Sequence, residues 1–239
     1  MGRSLAIVAI VLLAAPASAF ATSHVYYVND EREDIVMLVI EGDEGVNTVS
    51  VTSGDTPIYT VTDSSGVRVT PNSAYCERSS PTVATCTGGW WSPVLSVDLG
   101  GGGDSLSVAP DQSFNGSTIH GGSGGDRIRI ATLPSGYGWH STIRGQAGDD
   151  AILGSPKADL IDGGSGDDRL NGRGGNDEVV GGLGPDRLLG GSGRDRIEAS
   201  EHDVDAFIGC GSENDIAFID GIDPRPVASC EKFAVVKRP

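Results

Sequence analysis

The chain has 239 residues, 36 of them glycine, with only 5% aromatic content and a formal net charge of −16. This composition argues against an ordinary globular enzyme of this size, and the charge repels nucleic acid and anionic membrane surfaces. A compact fold needs cations among so many carboxylates; a disordered acidic chain is disfavoured because glycine and aspartate are strictly spaced, with apolar residues between them.

The chain opens with Arg3, an apolar run from Leu5 to Ala15, and Ala17-Ser18-Ala19. This is the anatomy of a secretory signal peptide over residues 1–21, its apolar stretch too short to span a bilayer. Ala19-Phe20-Ala21 is an alternative cleavage site. No second long apolar run follows, so the expected product is secreted, extracellular and without a membrane span.

Residues 22–98 are expected to be a β-rich N-terminal segment or cap. Val46 to Val51, Tyr59 to Thr62 and Val94 to Leu99 alternate or are rich in β-branched residues, with turn signals at Gly54, Asp63-Ser64-Ser65-Gly66 and Pro71-Asn72. Glu41-Gly42-Asp43-Glu44-Gly45 has the form of a decayed turn, which makes early coils of a repeat the alternative reading.

Residues 99–217 are periodic. Gly163-Gly164-Ser165-Gly166-Asp167-Asp168-Arg169-Leu170 follows G-G-x-G-x-D-x-(apolar), as do Gly121 to Ile128, Gly181 to Leu188 and Gly190 to Ile197. Looser copies centre on Asp104, Asp150, Asp159 and Asp177, and from Asp150 the aspartates recur every nine residues through Asp195. Glycine permits a tight turn with carbonyls aimed inward, and aspartate adds a hard oxygen ligand of the kind calcium requires. Strand alternation then points Asp168 and Leu170 inward and Arg169 outward. Arg127, Arg187 and Arg196 hold the same outward slot, and Arg169, Arg187 and Arg196 are expected to form one solvated row.

These nonapeptides resemble those of the RTX (haemolysin-type) calcium-binding family. The resemblance implies an all-β, right-handed parallel β-roll in which two nonapeptides make one coil and several Ca2+ ions lie between stacked turns. One edge would carry Asp150, Asp168 and Asp186, preceded by Asp126 and Asp104; the other would carry Asp159, Asp177 and Asp195. Carbonyls of Gly163, Ser165, Gly181 and Leu183 would face ions on the first edge, and those of Gly190 and Ser192 on the second. Asp159 is the weak member, because Ser155-Pro156-Lys157 replaces its glycines. Asp104 to Asp126 and Asp126 to Asp150 exceed one coil, so loops 110–116 and 133–140 are read as replacing second-edge turns. The similar stretches Ser117–Gly121 and Ser141–Gly145 re-enter the glycine turns.

Residues 218–239 are expected to form a disulfide-linked cap that pairs through Phe207, Phe218 and Phe233. Four cysteines in an oxidising compartment imply two bridges, most simply Cys76–Cys86 and Cys210–Cys230, one of three connectivities. Zinc is the rival, but Cys-x-x-Cys is missing.

For chemistry, Gly121-x-Ser123-x-Gly125 matches a nucleophile elbow but lies inside a nonapeptide, and there is no His-Glu-x-x-His. The chain is therefore read as a monomeric calcium-binding protein rather than an enzyme. The alternatives are an adhesin or module binding an extracellular glycan or surface component through Tyr137, Trp139 and His140, or a small secreted carbohydrate-active enzyme.

Overall fold

Runs in which every second residue is aliphatic, punctuated by glycine turns, should give short strands with one buried face. In the computed structural model these runs become the strands of two stacked sheets. The structure describes residues 23–30, 35–53, 58–64, 67–69, 76–87, 94–109, 114, 116–131, 140–199, 203–223 and 229–236. Among them there is no helix, and the strands wind into a β-solenoid of about six turns. The signal-peptide region, Trp90-Trp91, Tyr137 and Trp139 lie outside the described residues.

One sheet has eleven strands. Its order is Lys232–Val235, Ile216–Ile219, Arg196–Ala199, Glu178–Leu183, Asp159–Ser165, Ser141–Ala147, Ser117–Ser123, Val94–Asp98, Ile35–Glu41, Ser23–Asp30 and Val67–Val69. The other has ten, in the order Phe207–Ser212, Arg187–Ser192, Arg169–Gly174, Ala151–Leu153, Arg127–Ile130, Ser105–Val108, Thr48–Ser53, Ile58–Asp63, Val83–Thr87 and Cys76–Ser80. From Val94–Asp98 to Ile216–Ile219 the chain crosses from one sheet to the other after each strand, so each strand pairs in parallel with the next but one, as Leu170 does with Leu188 and Ile161 with Val179.

Between the sheets the inward residues form two files. Leu106, Ile128, Ile152, Leu170, Leu188 and Ile208 come from one sheet, and Ile119, Ile143, Ile161, Val179 and Ile197 from the other, none more than 2% exposed. Burial of each such side chain is worth about 1.5–3 kcal/mol. The expected stacking of the similar strands holds, with Ser117 opposite Ser141 and Ile119 opposite Ile143. Ser105–Val108 is followed by Ser117–Ser123 of the other sheet, and Arg127–Ile130 by Ser141–Ala147, both on the edge opposite the Asp150 turn; most of the loop residues between them lie outside the described residues.

The first coil begins upstream of the glycine repeats. Ile35–Glu41 pairs in parallel with Val94–Asp98, and Thr48–Ser53 with Ser105–Val108. The intervening turn stacks on the Asp104 turn: Gly42 N donates to Asp98 O at 2.6 Å, and Gly101 N to Asp43 O at 2.8 Å. Glu41–Gly45 is thus a turn of the solenoid. Beyond this coil most pairings are antiparallel, with Ser23–Asp30 against Ile35–Glu41, and Ile58–Asp63, Val83–Thr87 and Cys76–Ser80 extending the other sheet, while Val67–Val69 joins Ser23–Asp30 in parallel. The Cys76–Cys86 disulfide clips the outermost pair, and Cys210–Cys230 ties the last coil.

Two expectations about outward residues are corrected. The strands holding Phe218 and Phe233 pair in parallel, Ile216–Ile219 with Lys232–Val235, but the three rings do not stack on one another. Phe207 lies under Arg187, 5.3 Å from guanidinium carbon to ring centroid, Phe218 lies under Arg196 at 4.1 Å, and Phe233 is 47% exposed. Their parity is the cause: Phe207 stands at the outward register of Arg187, on the other sheet from Phe218. Nor do the arginines form one row. Arg169 and Arg187 are neighbours on the ten-stranded sheet, whereas Arg196 is on the other sheet, bonded to Glu178 at 3.1 Å and Glu198 at 2.6 Å. Nine residues is half a coil, so alternate copies face opposite ways.

Candidate metal centre

Each repeat places its aspartate at the end of a turn, just before a strand, so the carboxylate enters the stack at an edge. On the first edge, Oδ1 of each aspartate accepts the backbone N–H of the residue one coil earlier. Asn47 N donates to Asp104 at 2.6 Å, Asp104 N to Asp126 at 2.8 Å, Asp126 N to Asp150 at 2.7 Å, Asp150 N to Asp168 at 2.8 Å and Asp168 N to Asp186 at 2.9 Å. The ladder continues past the recognisable repeats: Asp186 N donates to Asp205 at 3.0 Å, and Asp205 N to Asp223 at 3.2 Å.

The second edge repeats the arrangement. Ser141 N donates to Asp159 at 3.1 Å, Asp159 N to Asp177 at 2.8 Å, Asp177 N to Asp195 at 2.9 Å, Asp195 N to Asp215 at 2.8 Å and Asp215 N to Glu231 Oε2 at 2.6 Å. Asp205 and Asp215 escape sequence reasoning. Ala206 is an extra residue, since both Ala206 N and Phe207 N reach Asp186 O, and this breaks the aspartate-x-apolar spacing. Asp215 ends the degenerate turn Cys210-Gly211-Ser212-Glu213-Asn214-Asp215. Gly211 at φ 113° and Glu213 at φ 78° keep the backbone pattern there, although Cys210 and Glu213 stand where the repeat has glycine, which hides it in the sequence.

The other carboxylate oxygen is the chemically open one. Oδ2 of Asp104, Asp126, Asp150 and Asp168 on one edge, and of Asp177, Asp195 and Asp215 on the other, is buried and has no hydrogen-bond partner. A buried oxygen left this way costs about 1–3 kcal/mol, more if charged. These oxygens share their surroundings with backbone carbonyls. A Cβ on Gly163 would lie 2.2 Å from Asp168 Oδ2 and 2.5 Å from Gly181 O; the same point at Gly145 is 2.1 Å from Asp150 Oδ2 and 2.5 Å from Gly163 O. At Gly172 the pair is Asp177 Oδ2 at 2.2 Å and Gly190 O at 2.7 Å. Glycine is obligatory there because the two oxygens converge where a side chain would begin.

Of the six expected carbonyl donors, Gly163, Gly181 and Gly190 stand at or beside these convergence points. Ser165, Leu183 and Ser192 have their carbonyls bonded along the stack by Gly148, Gly166 and Gly175 N–H groups at 2.7, 2.8 and 2.9 Å, leaving each a second lone pair. His140, the described member of the expected ligand loop, is exposed, with Nδ1 3.3 Å from Ala158 O.

Burial makes the carboxylates hard to charge. It pushes Asp177 up to about 8, Asp150 and Asp205 to about 7, and Asp104, Asp168 and Asp195 to about 6, against the opposing pull of the backbone N–H bonds. Neighbouring carboxylates add to the rise at Asp150, from Asp126, Asp168 and Asp149. A divalent cation between the oxygens would reverse this, because a nearby positive charge favours the ionised form.

Two positions show what the oxygens select. Asn47 occupies the aspartate's place in the first coil and is fully buried; its Nδ2 donates to Gly45 O at 2.8 Å and Leu99 O at 3.2 Å. An electropositive group thus stands against two carbonyls of adjacent coils. Asp159 has both oxygens engaged by Ser155, through its N–H to Oδ2 at 2.6 Å and its hydroxyl to Oδ1 at 3.1 Å. Among the described residues no group of three or more His, Cys, Asp or Glu side chains is arranged to hold a metal. An ion would take its remaining ligands from carbonyls, and hard oxygen donors of this mixed kind suit calcium.

Paired ladders of carboxylate and carbonyl oxygen along a two-sheet parallel solenoid define a calcium-binding β-roll. Residues 144–179 and 180–203 match the RTX calcium-binding nonapeptide repeat, in four copies. This stretch of the chain is made of RTX repeats, which bind Ca2+ at multiple sites. No curated protein and no solved structure matches the chain. No helix among the described residues is long and apolar enough to cross a membrane.

Proposed function

We propose that the chain is a secreted calcium-binding protein whose β-roll is completed by extracellular calcium. The observation that carries this reading is the repeated meeting of a buried, unpartnered carboxylate oxygen with a glycine carbonyl of the next coil. Asp126, Asp150 and Asp168, with the carbonyls of Gly145, Gly163 and Gly181, would hold ions on the first edge; Asp177 and Asp195, with those of Gly190 and Cys210, would do so on the second. Asp104 and Asp186 extend the first-edge set. When bound, calcium supplies the positive charge these oxygens lack. The chain's part is to gather them, which the glycine turns do by letting adjacent coils approach closely. The leader over residues 1–21 and two disulfides favour an oxidising, extracellular setting, where calcium is plentiful.

Because the ligands come from successive coils and repel one another unbound, metal binding and folding are one process. The test is circular dichroism of the chain lacking residues 1–21, titrated with calcium from a chelated start. The expected result is a cooperative rise of β signal from a coil-like spectrum. An unchanged spectrum, equally β-rich with chelator, would overturn the proposal.

A further inference from the structure

The second-edge ladder ends in a turn that carries a disulfide, and its first position is Cys210, at the register where the preceding coil has Gly190. A Cβ on Gly190 would lie 2.5 Å from Asp195 Oδ2 and 2.4 Å from Cys210 O. Asp195 Oδ2 has no partner and its residue is 1% exposed. Asp215, whose Oδ1 accepts Asp195 N–H, is 2% exposed and also keeps an unpartnered Oδ2. Cys210 itself is fully buried and bonded to Cys230. The residues flanking Cys230 hold the same turn: Ser229 Oγ accepts Gly211 N–H at 3.0 Å, and Glu231 Oε2 accepts Asp215 N–H at 2.6 Å. Glu213 accepts the N–H of Gly193.

We propose that the cation site formed by Asp195 and the carbonyl of Cys210, where the matched repeats give way to the C-terminal coil, is energetically linked to the Cys210–Cys230 disulfide. The proposal rests on the calcium reading of the ladders. The disulfide fixes the carbonyl that faces the ion, and the ion fixes the turn that presents the disulfide. Linkage makes the effect reciprocal: whatever the bridge adds to calcium affinity, calcium adds to the bridge's resistance to reduction. A dithiol reductant would deliver two electrons and two protons, leaving thiols at Cys210 and Cys230 and its own cyclic disulfide. That opening would release residues 229–231 and loosen the cation site. Cys76–Cys86 lies in an antiparallel hairpin away from the ladders and serves as an internal reference.

The experiment compares Asp195→Ala with Asp126→Ala, each folded in saturating calcium and exposed to graded dithiothreitol. Opening of each bridge is read by alkylation and mass spectrometry, and bound calcium by equilibrium dialysis. Both variants should bind less calcium than the parent. Only Asp195→Ala should sensitise Cys210–Cys230, by at least about fivefold in reductant concentration, with Cys76–Cys86 unchanged. Equal sensitisation by the two variants, or none by either, would overturn the link. Unaltered calcium in both variants would instead sink the calcium reading on which it rests. As the reciprocal arm, the double variant Cys210→Ser with Cys230→Ser should weaken one site about fivefold or more and spare the others; unchanged affinity at every site would also overturn it.

Discussion

Asn47 and Asp168 occupy equivalent places in the stack and differ by an amide nitrogen in place of a carboxylate oxygen. The amide of Asn47 bonds directly to Gly45 O and Leu99 O, so its level needs no ion. Asn47→Asp should therefore add a calcium ion to the bound stoichiometry, measured by equilibrium dialysis. It should also destabilise the roll at sub-saturating calcium by about 1–3 kcal/mol, since a buried carboxylate would face two carbonyls. Unchanged stoichiometry with equal destabilisation at saturating and at sub-saturating calcium would refute this. Gly163→Ala tests the opposite side of the same geometry. Its new methyl would lie 2.2 Å from Asp168 Oδ2 and 2.5 Å from a rigid backbone oxygen, so it should cost about 1–3 kcal/mol and weaken calcium binding. Gly221→Ala, with nothing within 4 Å, should be silent in the same assays. Leu183 is 58% exposed and faces the site only through its backbone, so Leu183→Ala should leave calcium affinity intact.

At the scale of the ladder, acidity and calcium act in opposite senses. Without calcium, burial makes Asp104, Asp126, Asp150, Asp168, Asp177, Asp195 and Asp205 hold their protons more tightly in the fold than in the unfolded chain. The calcium-free roll is then most stable below the ordinary carboxylate value of about 4, and stability falls as the pH climbs through the raised values, about 6 for Asp168 and about 8 for Asp177. In calcium-free buffer the β signal in circular dichroism should therefore fall from pH 4 to pH 8; a signal that rose over that span would contradict the burial of these groups. The ladder was legible in sequence where its spacing is regular, from Asp150 to Asp195, because glycine and aspartate there answer a single geometric demand. It was illegible where the chain satisfies the geometry by other means: the extra residue at Ala206, Glu213 in a left-handed conformation, and Asn47 as a neutral substitute. Ile35-Val36-Met37-Leu38-Val39-Ile40 went unnoticed as a strand because a continuous apolar run has no alternation to read. The doubt over Asp159 had a basis in Ser155-Pro156-Lys157, but only the structure reveals that Ser155 fills both oxygens.

For the whole molecule, stability resembles that of other stacked-repeat chains, a sum of neighbouring interfaces with no single centre. The two aliphatic files are continuous, so one deletion in the middle is felt on both sides. Ile161→Ala, at a fully buried position, should cost about 2–5 kcal/mol in calcium-saturated denaturation. A loss below about 1 kcal/mol would mean that the coils tolerate voids. The chain's net charge of −16 opposes compaction, and calcium bound along the two ladders would offset part of it. Scattering should record a contraction on adding calcium, from a radius of gyration on the order of 50 Å toward about 20 Å.

The backbone bonds of the ladders all point one way. Every aspartate receives its N–H from the coil before it and sends its own N–H to the coil after it, from Asn47 at one end to Asp223 and Glu231 at the other. The stack therefore has a polarity. A chain that emerges amino end first always shows one unlatched coil, the newest, and each arrival closes the door behind its predecessor. Among the described residues, Asp223 and Glu231 close the last coils, so residues 223–231 latch the stack rather than hang from it.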